Sequence, residues 1–188
     1  MVGGINRYKA RRHIGIGPTI DRNAINHHKG YELTPHLGAG YEIDFKQVIV
    51  EPFAGVDYSY IHQDGYTETG AGSLNSKVKE QSMALLRTEA GFNVFKTLNF
   101  EGGNWTPKAK LSYILRDPIK KDKTKVALEG QATFFAVESF TRTRNQVSPG
   151  FGVTVRFNSG AFVDARYNAE LDSSFRTHEI GLKVGYAF

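Results

Sequence analysis

Glu179-Ile180-Gly181-Leu182-Lys183-Val184-Gly185-Tyr186-Ala187-Phe188 closes the sequence, and its alternation decides the fold class. Ile180, Leu182, Val184, Tyr186 and Phe188 share one face of an extended strand, with Glu179, Gly181, Lys183, Gly185 and Ala187 on the other. Successive side chains of a strand point to opposite sides, whereas a helix would mix the two sets. The preceding run repeats the pattern: Ala161, Val163, Ala165, Tyr167, Ala169 and Leu171 oppose Phe162, Asp164, Arg166, Asn168 and Glu170. Before it, Phe151, Val153, Val155 and Phe157 oppose Gly150, Gly152, Thr154 and Arg156. Asn158-Ser159-Gly160 and Asp172-Ser173-Ser174 read as the hairpin turns between these runs.

The same period continues towards the N-terminus. Ala109, Leu111, Tyr113 and Leu115 oppose Lys108, Lys110 and Ser112, and Leu86, Thr88, Ala90, Phe92 and Val94 oppose Arg87, Glu89, Gly91 and Asn93. Val48, Val50, Ala54, Val56, Tyr58 and Tyr60 oppose Glu51, Phe53, Gly55, Asp57 and Ser59. Tyr31, Leu33, Leu37, Ala39, Tyr41 and Ile43 oppose Glu32, His36, Gly38, Gly40 and Glu42. A weaker first strand over about 2–14 puts Tyr8 and Ala10 opposite Arg7, Lys9 and Arg11. The count is about eight strands, with short connections at 44–47 and 158–160 and longer ones at 15–27, 62–77 and 117–136. The connector at 96–105 is longer, and Asp172-Ser173-Ser174 shorter, than a strict alternation of short turns and long loops predicts.

Composition fits an all-β chain: 20 Gly, 13 Phe, 9 Tyr, two Met and no Cys in 188 residues. The lack of Cys excludes a disulfide scaffold and thiolate metal sites. The net charge of +5 is spread along the chain, apart from Lys120, Lys121, Lys123 and Lys125, so no nucleic-acid site is expected. No stretch approaches the roughly 20 apolar residues of a membrane-crossing helix. Mean hydropathy is −0.39, but barrel strands alternate faces and average out on such scales. Met1-Val2-Gly3-Gly4-Ile5-Asn6 carries no apolar leader segment, so the sequence reads as the mature part of an exported chain.

Alternation alone fits two barrels, one with its apolar face towards lipid and one, lipocalin-like and soluble, with that face enclosing a small apolar ligand. Three features favour lipid. The charged faces carry Gly38, Gly40, Gly55, Gly91, Gly150, Gly152, Gly181 and Gly185, which leave room for long side chains in a crowded lumen. The charges assigned inward nearly cancel, as buried ions must. They include Glu51, Asp57, Arg87, Glu89, Lys108, Lys110, Arg156, Asp164, Arg166, Glu179 and Lys183 as the core of a lumen network, with Arg7, Lys9 and Arg11 from the first strand. Tyr31, Tyr41, Tyr58, Tyr60, Tyr113 and Tyr186 fall towards the ends of the apolar faces, where an interfacial girdle would lie.

Ile180 to Phe188 resembles the C-terminal signal of outer-membrane barrels, with a terminal Phe and apolar residues at each alternate position before it. Glu51-Pro52-Phe53-Ala54-Gly55-Val56-Asp57-Tyr58, then Gly65-Tyr66-Thr67-Glu68-Thr69-Gly70-Ala71-Gly72-Ser73-Leu74 and Leu86-Arg87-Thr88-Glu89-Ala90-Gly91, is similar to the autotransporter β-domain. That domain is the translocator of type V secretion, and Glu68 within Tyr-x-Glu-x-Gly is its most recognisable element here. The resemblance implies one barrel domain over 1–188 in the bacterial outer membrane, both termini periplasmic, that anchors and exports a passenger. It also implies reading of the last strand by the barrel-assembly machinery, by strand addition. Complete members have about twelve strands, and this chain has room for about eight. Removing an even number leaves a remainder that could close by pairing its first strand with its eighth. Such a barrel is filled by side chains and is at most a narrow pore.

No enzymatic constellation emerges, and no cofactor, metal or small-molecule substrate is expected. His27-His28 lacks a third ligand nearby. Ser59, His62 and Asp64 have the residue types of a triad, but Ser59 and His62 fall on opposite faces of one strand, and His178-Glu179 has the same defect. Gly70-Ala71-Gly72 is followed by no helix and cradles no phosphate. The basic loop residues Lys77, Lys79, Lys120, Lys121, Lys123, Lys125, Arg142 and Arg144 suit contact with lipopolysaccharide phosphates.

Overall fold

A computed structural model describes residues 1–138 and 142–187. Eight long strands carry the fold: β1 (Val2–Ile16), β2 (Ile20–Thr34), β3 (Ile49–Gln63), β4 (Gln81–Phe95), β5 (Gly103–Lys121), β6 (Arg144–Phe157), β7 (Ala161–Leu171) and β8 (Arg176–Tyr186). Each lies beside its sequence neighbours, β1-β2-β3-β4-β5-β6-β7-β8, which is an up-and-down antiparallel meander without a crossover. The one helical element described is a single 3-10 turn, Gly72–Leu74, directly after Gly70-Ala71.

Several boundaries differ from the sequence reading. The segment 15–27 is not a long loop: β1 and β2 pair from Val2↔Thr34 to Ile16↔Ile20 around Gly17-Pro18-Thr19, with Gly17 at φ 57°. His27 and His28 therefore lie on β2. Residues 20–30 are polar on both faces, so the arms of this hairpin gave no hydropathy signal. The connector at 96–105 also shortens, because Leu98–Phe100 pairs with Gly103–Trp105 across Glu101-Gly102. The turns at 158–160 and 172–174 are where alternation put them, held by Gly160 N–H to Phe157 O and Asp172 N–H to Phe175 O. Pro35, which has no N–H to give, separates β2 from a short continuation at His36–Gly40.

The loops at 62–77 and 117–136 carry structure of their own. Short strands at Phe135–Val137, Thr124–Leu128, Ser76–Val78 and Tyr66–Thr67 pair in that order into a four-stranded sheet.

Two compact units are present. The first comprises Met1–His36, Asp57–Leu86 and Asp117–Arg142, including the loop sheet; the second comprises Leu37–Val56, Arg87–Arg116 and Thr143–Phe188. Among the described residues no ladder joins β1 to β8. A ring of eight strands has an interior filled by its own side chains. The charged face of the second unit instead leaves cavities of about 350 and 450 Å³.

The second unit is inverted relative to a water-soluble domain. Many of its large apolar side chains are exposed, with Leu37, Tyr41, Phe92, Leu111, Tyr113 and Phe151 all open and Phe151 at 65%, although Lys108, Arg156, Arg166, Glu179 and Lys183 are open as well. Most of its buried side chains are polar: Asn93, Ser112, Gln146 and Ser148 are buried beside the apolar Ile114 and Ala169, and Gln146 is 1% exposed. The first strand reverses the phase expected for it. Tyr8 turns to the covered side, against His28, while Arg7, Lys9 and Arg11 are exposed. A ring stack gained on the covered side outweighs a lone Tyr on an edge strand.

Candidate functional site

The last strand presents its apolar row openly. Ile180 (83% exposed), Leu182, Val184 and Tyr186 all stand clear on β8, which among the described residues forms a ladder with β7 alone, from Ala161↔Tyr186 to Leu171↔Arg176. Phe188 lies outside the described residues. One edge of β8 and a row of alternate apolar side chains are thus available to an incoming strand.

The inward charges of the second unit converge on Glu89. β4 and β5 place Arg87 Nη2 2.8 Å and Lys110 Nζ 2.6 Å from its carboxylate, and Ser112 Oγ donates to it at 2.6 Å. The side chain of Glu89 is 11% exposed. Arg87 also reaches Glu170 at 3.4 Å, and Arg116 donates to Glu170 at 2.7 Å and to Gln146 at 2.8 Å. Glu51 accepts from Asn93 at 2.7 Å, with Lys108 3.8 Å away. Glycine makes this crowding possible: a Cβ on Gly91 would collide with the backbone of Leu111 and Ser112.

Not every residue assigned to the network joins it. Asp164 accepts from Thr154 Oγ1 at 2.7 Å, and Lys183 lies over the Phe162 ring. Asp57, in the first unit, meets His36 at 2.6 Å and makes a further contact besides. Arg156, Arg166 and Glu179 make no ion pair among the described residues. Arg116 and Asn93, by contrast, carry central contacts that the inner-charge assignment left out. Ile114, buried beside Arg116, breaks the polar alternation that would have flagged it.

In the first unit, Glu68 is the centre of a clasp. Arg12 of β1 donates to both carboxylate oxygens, at 3.2 and 2.5 Å, and also to Leu74 O and Ser76 Oγ; Ser76 N–H donates to Glu68 at 2.8 Å. Arg12 and the Ser76 backbone hold the carboxyl below its ordinary value, against the opposing effect of burial. Beside the clasp, His28 lies between Tyr8 and Tyr66, with ring centroids 4.8 and 4.5 Å away. Thr69 exchanges backbone hydrogen bonds with Ile25, and Asn75 links to Glu129 at 2.5 Å. Glu68 is covered, at 6% exposed, while Arg12 is 45% exposed, so the bidentate pair is what satisfies a carboxylate held away from water.

Glu68→Gln is therefore expected to loosen the 66–78 segment and raise its amide exchange at least tenfold, about 1.4 kcal/mol, relative to β6. The native carboxyl titrates below the unfolded one, so its contribution is complete above the ordinary value of 4.5 and disappears as pH falls through the lower native value. Exchange rates compared at neutral and acidic pH, after correction for intrinsic chemistry, check both points. Unchanged exchange in the variant would remove the clasp.

His62 meets Asp64, as weighed in the sequence, but Ser82 in place of Ser59. Its Nδ1 is 3.0 Å from Ser82 Oγ, and its Nε2 is 3.4 Å from Asp64. Tyr60 O–H also donates to Ser82 Oγ, and Ser82 N–H donates to Asp122 at 2.9 Å. The serine is thus a junction joining β3, β4 and the segment after β5. Among the described residues no three His, Asp or Glu side chains converge as a metal requires.

Comparison with known proteins agrees with this architecture. The model of the family described as "Autotransporter beta-domain" matches residues 1–168. Outer membrane protein B of Rickettsia rickettsii is 24% identical over 167 residues, 88% of this chain and 10% of that protein. Outer membrane protein A of the same organism is 24% identical over 190 residues, 97% of this chain and 8% of that protein. Outer membrane protein B of Rickettsia japonica is 24% identical over 155 residues, 81% of this chain and 9% of that protein. The chain thus spans about a tenth of the length of these relatives. An all-antiparallel meander with apolar side chains exposed and ion pairs covered, matched by the family model over residues 1–168, belongs to the autotransporter β-domain family.

Proposed function

We propose that this chain is a C-terminal part of an autotransporter translocator, working in the bacterial outer membrane as one barrel domain over residues 1–188 with both termini periplasmic. Joined to the rest of such a protein it anchors and exports a passenger; as this chain, insertion into the bilayer is its activity. The observation that carries the reading is the inversion of the second unit, where Phe151 is open while Glu89, Arg87 and Lys110 bond under cover. Water would drive these sets the other way, and hydrocarbon drives them this way. A soluble barrel holding an apolar ligand needs the opposite arrangement. The names of the rickettsial relatives support the compartment.

The test is folding with and without lipid. The full chain is expected to form its sheet only in micelles or vesicles and then to resist unfolding on a cold gel. A folded, monodisperse particle in plain buffer would refute the reading. Planar-bilayer conductance then separates an open pore from a narrow one.

The barrel-assembly machinery and lipopolysaccharide are the partners this reading implies. Recognition of β8 by strand addition makes its apolar row a specificity element. Leu182→Asp with Tyr186→Asp is expected to slow machinery-assisted insertion about tenfold or more, equivalent to 1.4 kcal/mol of lost recognition. The check is insertion into vesicles with and without the machinery, where equal slowing in both would assign the row to lipid contact alone.

A further inference from the structure

The exposed face of the β1–β2 hairpin changes character along its length. Residues directly opposite in an antiparallel pair share a face, so the register assigns Gly3↔Leu33, Ile5↔Tyr31, Arg7↔Lys29, Lys9↔His27 and Arg11↔Ile25 to one side. Its first rows are apolar: Ile5 is 81% exposed, and Tyr31 and Leu33 are also open. From Arg7 and Lys29 onward it is cationic. The step between the two rows is two residues, about 7 Å along the strand.

The row extends onto the loop sheet. Ile25 bridges Thr69, Thr67 on the same face of that segment pairs with Lys77, and Lys77 is exposed. Tyr66 and Glu68, on the alternate face, turn to His28 and Arg12. The face bearing Lys77 therefore continues the exposed side of β2.

These cations lack the counter-charges that others have. Arg12, Arg87, Lys110 and Arg116 each meet a carboxylate, whereas Arg7, Lys9, Arg11, Lys29 and Lys77 make no ion pair among the described residues. Asp64 is the acid nearest in register, since its N–H bonds to Lys29 O, but its carboxylate turns to His62. Asp21, at the hairpin tip, pairs with His13. Like charges directly opposite destabilise a sheet, so Arg7 facing Lys29 carries a cost that an external anion removes.

We propose that Arg7, Lys9, Arg11, Lys29 and Lys77 form a cationic collar that binds the phosphate groups of membrane lipids. The apolar rows at Ile5, Tyr31 and Leu33 sit at acyl-chain depth, and the collar one step beyond them sits at headgroup depth. This rests on the membrane reading above and sharpens its lipopolysaccharide contact, moving it from the loop lysines to the strand face.

The full chain, folded into phosphatidylcholine nanodiscs, would be titrated with diphosphoryl lipid A and separately with inorganic pyrophosphate. Arg7→Gln, Lys9→Gln, Arg11→Gln and Lys29→Gln combined would be compared with Lys46→Gln and Lys96→Gln combined. The collar variant is expected to bind lipid A roughly a hundredfold more weakly at low salt, and the control to match the parent. High salt is expected to remove most of the difference. Equal binding by parent and collar variant, or equal loss in the control, would overturn the collar. Pyrophosphate binding as tight as that of lipid A would overturn the lipid as its occupant. Failure of the parent to fold in nanodiscs refutes the membrane reading instead and shows before any titration.

Discussion

Glu89→Ala is expected to destabilise the lipid-folded chain by about 3–5 kcal/mol, the largest loss from any single charge removal. The carboxylate takes Arg87 at 2.8 Å, Lys110 at 2.6 Å and the Ser112 hydroxyl at 2.6 Å, and little of it meets solvent. Alanine removes the acceptor that two cations and a donor share. Arg87 also contacts Glu170 at 3.4 Å, itself already engaged by Arg116. Leaving Lys110 charged without this acceptor costs more than the pair ever contributed. Urea titration of the variant in vesicles measures the loss, and a double variant with Lys110→Met is expected to recover part of it, because removing both ions removes the imbalance. A loss below about 1 kcal/mol would mean that water reaches the carboxylate freely and that this face is not the covered one.

Eight long strands and several of their turns were legible because alternation is a local property. Ile180 to Tyr186 and Ala161 to Leu171 each declare their two faces within a few residues, and Asn158-Ser159-Gly160 carries its own turn chemistry. The pairing partners inside the network were not legible. Glu89 is 21 residues from Lys110, and Arg116 is 54 from Glu170, with the intervening strands setting the match. Sequence could say that inward charges must balance; register decides which ones touch.

The misreadings share a cause. At 15–27 and on β1, strands run through segments where neither face is apolar, so the period-two signal carries no hydropathy contrast. Alternation puts Tyr8 outward, opposite the charged Arg7, Lys9 and Arg11, yet a stack with His28 and Tyr66 turns it in and those three out. Glu68 stood out within Tyr-x-Glu-x-Gly, but its meaning depends on Arg12, 56 residues earlier. A motif residue whose partner lies across the sheet cannot be interpreted from its neighbours.

Phe151→Arg is expected to cost about 2–4 kcal/mol in a bilayer, the penalty for a cation on the lipid face of a barrel near midplane. Phe151 is paired with Ala109 on β5 and Tyr167 on β7, so it belongs to the central strands of its unit, and its side chain is open. In water the same substitution on an exposed strand position would be close to neutral. The size of the effect thus reports the solvent that the face meets, independently of any relative. Thr154→Arg supplies the internal comparison: Thr154 points to the other face, where Asp164 accepts its hydroxyl at 2.7 Å and the neighbouring cavity of about 350 Å³ gives the longer side chain room beside that carboxylate. It is expected to cost under half as much as Phe151→Arg, since a cation there gains an acid partner. Vesicle unfolding free energies for the two variants decide the matter. Equal penalties would dissolve the distinction between lipid-facing and covered sides, and a reversed order would turn the sheet inside out.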